Sequence, residues 1–237
     1  EAKVEVSSKG SDYVNGFKGK VTSVCFNLYN ENILVGGDEN GKLLVFDLRE
    51  KDQILSFSTG SAIVGDSVSF NYNNNGVIVG SFSGTRQLKE IDFRKSNSEN
   101  IQSIDWGVIT SENSTTNING SVFTVSHCKE KPIFAVGCSR MNHLRLYSQQ
   151  TNNFLKEKCD IIKLVHNNNI LDNEKPIPPV SSSLSHRSKS ETHFSSYSLV
   201  ASSDIYPNPV FSCHVSNSGK YIACSGSMGN ISLIKLT

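Results

Sequence analysis

Alternating apolar and polar positions recur along this chain in a fixed order. An alternating run comes first, then a polar Asn/Gly/Pro turn, a second apolar run ending in Gly and small residues, a short turn, and a third alternating run. The first copy reads Val21-Thr-Ser-Val-Cys-Phe26, Ile33-Leu-Val-Gly-Gly37 and Lys42-Leu-Leu-Val-Phe-Asp47. The second runs through Asp66-Ser-Val-Ser-Phe70, Val77-Ile-Val-Gly-Ser81 and Gln87-Leu-Lys-Glu-Ile-Asp92. The third is Val122-Phe-Thr-Val-Ser-His127, Pro132-Ile-Phe-Ala-Val-Gly137 and His143-Leu-Arg-Leu-Tyr147. The fourth is Val210-Phe-Ser-Cys-His-Val215, Ser218-Gly-Lys-Tyr-Ile-Ala-Cys-Ser-Gly226 and Asn230-Ile-Ser-Leu-Ile-Lys235. Period-2 runs of five or six residues bounded by Gly, Asn and Ser predict short antiparallel strands joined by tight turns. Apolar residues at helical spacing extend over no more than about two turns, so the prediction is all-β.

A unit of three or four short strands cannot bury both of its faces, so consecutive copies must stack. Stacked around an axis, they make a propeller. The central Gly-Gly or Gly-Ser step, the polar turn and the hydrophobic-aspartate close resemble the WD40 repeat, most strongly over 21–49 and 209–236. That resemblance implies a WD40-like β-propeller, partial or few-bladed, as a single domain over 1–237. The usual Trp-Asp close is replaced by Phe46-Asp47, Ile91-Asp92, Leu146-Tyr147 and Ile234-Lys235, and no copy carries the family's Gly-His. These blades are therefore expected to hold by strand pairing and packing.

Equivalent positions lie 44 residues apart from Val35 to Val79, 57 from there to Val136, and 87 from there to Ala223. The expected blades are about 17–60, 61–100, 118–158, 159–205 and 206–237. Residues 95–118 read as an Asn/Ser-rich loop around a short strand at 101–108, and 166–194 as a Pro/Ser-rich insert. The insert breaks a degenerate blade whose first two strands are expected at 160–165 and 196–202. Five blades of about 42 residues use most of the chain, and propellers have four to eight. The ring is thus expected to be small or to continue outside this sequence.

Charge and chemistry narrow the function. Lys plus Arg number 23 against 22 Asp plus Glu, so bulk charge points to no nucleic acid, membrane or acidic substrate. The apolar runs of three or four residues fall far short of the roughly 20 that cross a bilayer. The six cysteines are sparse, lack a C-x-x-C pair and mostly lie in strand-like runs, which suits an intracellular compartment, cytoplasmic or nuclear. The loop from Gly36 to Gly41 precedes no helix and lacks the Lys-Ser/Thr of a phosphate-binding loop. No histidine has a partner at metal-ligand spacing apart from His127 beside Cys128, whose adjacent strand positions face opposite sides of a sheet, and no G-x-S-x-G elbow is present. No cofactor, metal or catalytic residue is assigned.

The leading expectation is a non-catalytic scaffold that binds protein partners within a larger complex. Its contacts are expected on the rim where the loops before the first strand and between the second and third strands gather. Phe17, Lys18, Lys20, Asp38, Phe82, Arg86, Arg140, His143, Tyr206, Asn208 and Met228 fall there, with the aromatic, Arg and Met types that interfaces favour. Ser188 and Ser190 in the insert are candidate phosphorylation sites beside Arg187 and Lys189. A second reading starts from 132–147 and 217–234, which are similar to late blades of the telomerase Cajal body protein group; it implies a ribonucleoprotein component. Small RNA would then meet Arg86, Lys89, Arg140 and Arg145. An enzyme built on a propeller is a third reading, and it needs a deep axial pocket with carboxylates or a metal.

Overall fold

The computed structural model describes residues 16–50, 53–82, 87–95, 100–104, 121–138, 143–149, 162–165, 197–204, 209–226, 229 and 231–236. Side chains of 143, 162–165 and 197–204 are outside that description. Among the described residues the regular structure is sixteen strands in four antiparallel sheets of four.

The first blade is β1 (Val21–Phe26), β2 (Ile33–Asp38), β3 (Lys42–Asp47) and β4 (Gln53–Ser58), paired in that order. Turn chemistry sets its register. Gly41 adopts φ 79° between β2 and β3, a left-handed conformation that glycine takes without strain, and an added Cβ would overlap the Ser61 carbonyl. The second blade is β5 (Val68–Phe70), β6 (Gly76–Gly80), β7 (Leu88–Asp92) and β8 (Ile101–Ser103). The outer strands β4 and β8 come from segments the repeat pattern leaves outside its three runs.

The third and fourth blades exchange their outer strands. β9 (Val122–His127), β10 (Ile133–Cys138) and β11 (His143–Gln149) are completed by β13 (Tyr197–Asp204), whereas β14 (Val210–Val215), β15 (Tyr221–Gly226) and β16 (Ile231–Lys235) are completed by β12 (Ile162–Val165). This corrects the expected fifth blade. β12 and β13 are strands as read, but β12 pairs with β16 from Ile162↔Lys235 to Val165↔Ser232, and β13 pairs with β11 from Gln149↔Tyr197 to His143↔Asp204. The reason is edge satisfaction: the third strand of each repeat presents an unpaired outer edge of backbone groups, and these two strands fill the outer edges of β11 and β16.

Three apolar cores lie between successive blades. Val35, Leu43 and Val45 pack on Val68, Phe70 and Val77; Ile78 and Leu88 on Val125, Phe134 and Val136; Ala135, Leu144 and Leu146 on Cys213, Val215 and Ile222. Strands of the inner blades accordingly bury both faces, β6 and β10 along their whole length. Side-chain hydroxyls stitch the inner strands together across these seams. Val68 N donates to Ser23 Oγ at 3.2 Å, Cys213 N to Thr124 Oγ1 at 3.1 Å and Val215 N to Ser126 Oγ at 3.0 Å. A buried backbone donor that sheet pairing leaves over thus finds an acceptor on the neighbouring blade.

Candidate protein-binding face

Bulges at the start of the inner strands set the chemistry of one rim. Pairing skips a residue between Val21 and Ser23 in β1, between Val122 and Thr124 in β9, and between Val210 and Ser212 in β14. An extra residue of this kind is turned out of the ladder and re-aimed. In the first blade it is Thr22, which donates back into the structure to Ile63 O at 2.6 Å. In the third and fourth blades it is Phe123 and Phe211, which have no such partner to offer and remain as aromatic surface.

Phe82, directly after β6, extends these two into a row. Its ring centroid is 6.4 Å from that of Phe123, and Phe123 is 5.4 Å from Phe211, with both pairs tilted by more than 50°. The spacing and tilt are those of attractive aromatic pairs. Phe82 is held by its own backbone: Phe82 N donates to Ala62 O at 2.9 Å, Val122 N donates to Ser81 O at 3.1 Å, and Ser121 Oγ donates to the Phe82 carbonyl. Phe82 is 49% exposed and Phe211 44%, so three blades present one fixed apolar stripe to solvent.

Of the residues expected on this rim, Phe82 joins the row and the rest divide. Phe17 is half-buried, 6.3 Å from Phe46 and over Gly36, where an added Cβ would lie 3.1 Å from its ring; it covers the first blade rather than extending the stripe. Lys18 and Lys20 are exposed beside it. Asp38 is corrected: it is 1% exposed, and its Oδ1 accepts from Asn40 N at 3.0 Å and Lys42 N at 2.7 Å. It builds the β2–β3 turn and offers nothing to a partner. Arg86, Arg140, Tyr206, Asn208, Met228, Ser188 and Ser190 lie outside the described residues, and His143 is placed only as the first residue of β11. Phe123 and Phe211 were missed. The signal for them was present as a repeated Val-Phe-Ser/Thr opening in two copies, an apolar residue out of phase with the alternation.

Three buried titratable groups elsewhere among the described residues, His127, Cys213 and Cys224, pack inside the fold. His127 is buried, its Nδ1 is 3.3 Å from Ser69 Oγ, and it stacks on Phe134 at 4.7 Å. Burial lowers its pKa to about 3, so it stays neutral. Burial likewise pushes the Cys213 thiol up to about 12 and Cys224 to about 11, which leaves both protonated and poor nucleophiles. On the opposite rim a shallow polar depression is lined by Asn71, Glu90, Asp92, Arg94, Gln102 and Gln149. Four of its groups are engaged in pairs: Asn71 Nδ2 donates to Glu90 Oε1 at 3.1 Å and Arg94 Nε to Asp92 Oδ1 at 3.0 Å. Among the described residues no three His, Cys, Asp or Glu side chains gather as metal ligands would.

No family model and no curated protein matches this chain. Solved structures do. A chain of a structure described as the crystal structure of the mitotic checkpoint complex is similar over 94% of this chain and 53% of its own length, with TM-score 0.60 and 11% identity. The C-terminal WD40 domain of Sif2 is similar over 94% of this chain and 48% of its own, with TM-score 0.54 and 16% identity. These likenesses, with the four antiparallel sheets, define the fold as a WD40-like β-propeller. The chain spans about half the length of the solved chains it matches. Nothing in these comparisons bears on the telomerase Cajal body protein group.

Proposed function

We propose that this chain is a non-catalytic scaffold whose Phe82–Phe123–Phe211 row receives an apolar segment of a protein partner within a larger complex. The carrying observation is that two large side chains of a fixed three-blade aromatic row are left 44–49% exposed. Rigid aromatic side chains lose little freedom on binding, and buried anchors of this type commonly carry about 2 kcal/mol or more each. One of the structural neighbours is a chain of the mitotic checkpoint complex, a protein assembly, which supports a protein rather than a small molecule as the bound species.

The RNA reading has less support. Arg145 is fully buried in β11, and Lys89 Nζ donates to the Thr59 carbonyl, so two of its four named charges are already committed inside the fold. The test is affinity purification of the full chain beside Phe82→Asp and Phe211→Asp variants, with far-UV circular dichroism to confirm folding. Both variants are expected to lose the partners that the parent chain retains. An unchanged set of partners would refute the assignment, and recovery of RNA with a steep salt dependence would favour the second reading.

A further inference from the structure

The fourth blade differs from the two before it at one pair of core positions. Val68 faces Val79 across β5 and β6, and Val125 faces Val136 across β9 and β10, with every member at most 3% exposed. The equivalent residues of the fourth blade are Cys213 and Cys224, Cα partners across β14 and β15 that are 2% and 3% exposed. Both carry thiols and belong to one core with Ala135 and Val215. Cys25 and Cys138 face Val35 and Val122 instead, so among the described strand pairs two thiols oppose each other at this one place.

The hydrogen-bond pattern of the ladder gives their separation. Ser216 N donates to Tyr221 O at 2.9 Å, so these two residues form a hydrogen-bonded pair, and in an antiparallel ladder such pairs alternate with non-hydrogen-bonded ones. Counting back along the register makes His214 with Ala223 a hydrogen-bonded pair, and Cys213 with Cys224 a non-hydrogen-bonded one. The backbone agrees, because Cys213 N and Val215 N turn out of the ladder to Thr124 Oγ1 and Ser126 Oγ. Residues opposed in a non-hydrogen-bonded pair lie about 4.5 Å apart at Cα, with their side chains on the same face. Disulfides span Cα separations of about 4.4–6.8 Å, so this pair can be bridged by turning two side chains while the backbone stays in place. Cys213 Sγ lies 3.7 Å from Ala135 O, and Cys224 Sγ 3.7 Å from Ser232 O. These are weak sulfur contacts, given up at small cost when the side chains turn.

We propose that Cys213 and Cys224 form a reversible redox staple in the fourth blade, closed by a small-molecule disulfide such as oxidised glutathione and opened by a thiol reductant. One protein thiolate attacks a sulfur of the small disulfide and expels the first small thiolate. The second protein thiolate attacks the mixed disulfide at the protein sulfur and expels the other. The two protons of the protein thiols end on the two expelled thiolates; the protein gives up two electrons and the oxidant takes them. In the closed molecule burial keeps both thiols protonated, so the exchange runs when the seam between the third and fourth blades opens. The link therefore forms where that seam has opened, and it fits when the seam closes again, since the equivalent places in two blades hold pairs of valines. A Cα separation at the short end of the disulfide range strains the bridge, which favours its reduction and makes the staple reversible. The proposal is independent of the aromatic rim.

Refolding the full chain from urea in a buffer of oxidised and reduced glutathione tests it, because both thiols are then accessible while the strands pair. The product is checked for folding by circular dichroism, alkylated and mapped as peptides without reductant; Lys220 lets trypsin separate the two cysteines. The expected product is a folded chain in which the peptides carrying Cys213 and Cys224 are linked, and dithiothreitol releases the link without loss of the fold. The linked form is expected to have a higher urea midpoint than the reduced form, because a cross-link restricts the unfolded chain. Cys213→Val/Cys224→Val copies the pair of the two preceding blades and should show the same midpoint with and without oxidant. Cys224→Ala gives the same readout should the double variant fail to fold. Alkylated thiols at both positions in the folded, oxidised sample overturn the proposal. Glutathione adducts that never resolve, links from either residue to another cysteine, or a midpoint that falls on linking overturn it equally.

Discussion

Thr124 is the sharpest place to ask whether hydroxyls hold the blades together. It is fully buried in β9, its Oγ1 accepts from Cys213 N at 3.1 Å, and its methyl lies where an added Cβ on Gly137 would come within 2.7 Å. Thr124→Val keeps the shape and the methyl but leaves the Cys213 N–H buried without an acceptor. An orphaned donor of this kind costs about 1–3 kcal/mol, and the methyl that replaces the hydroxyl returns about 0.8 kcal/mol of apolar burial. The net loss is about 0.2–2 kcal/mol. With a urea dependence of about 2 kcal/mol/M, the midpoint should fall by roughly 0.1–1 M. Thr124→Ser separates the terms, because it keeps the acceptor and removes only the methyl, and it should retain more stability than Thr124→Val if the hydrogen bond dominates. Both are read by urea titration followed by circular dichroism. A midpoint for Thr124→Val equal to that of the parent, or above that of Thr124→Ser, would refute the stitching argument.

Two further outcomes follow from packing and burial. Gly76→Ala should destabilise by about 2–3 kcal/mol, seen as a lowered melting temperature, because its Cβ would overlap the Ile91 carbonyl and lie 3.1 Å from Asp92 Cα, where only backbone can give way. His127 carries a pH dependence: its pKa falls from 6.5 to about 3 on burial, so the unfolded chain takes up a proton below pH 6.5 that the folded chain refuses until near pH 3. Stability from this group is complete above pH 6.5 and is lost at about 1.4 kcal/mol per unit below it, or about 2–3 kcal/mol by pH 4.5. His127→Gln should flatten the pH slope of denaturation midpoints, and equal slopes in the two proteins would count against the buried neutral ring.

Alternation made the repeating strands visible because each buries at least one face, and period 2 is what a pleated sheet imposes on such a run. β4 was harder to see. In Gln53–Ser58 Ile54 is exposed and Leu55 and Phe57 only partly buried on an outer strand, where solvent relaxes the demand for a clean pattern. Pairing partners were not legible for β12 and β13, since a strand's own residues say that it will pair but not with which edge. The candidate face was legible through Phe82 and obscure at Phe123 and Phe211, because a bulge shifts the phase of the alternation exactly where the side chain is re-aimed. Asp38 was misread for the opposite reason: an acidic residue in a polar turn looks solvated until its two backbone donors are seen.

The exchange of β12 and β13 has a kinetic consequence. β4 lies down beside β3 after a short turn, whereas β12 at 162–165 must wait for β16 at 231–235, by way of the whole of β13, β14 and β15. Closing so long a loop adds only a slowly growing entropic cost, but it makes the pairing late. Until then both β12 and the free side of β16 are bare hydrogen-bonding edges, open to the same groups on any other chain. The last seam to form in this molecule is therefore also the one at which two molecules can most easily exchange strands.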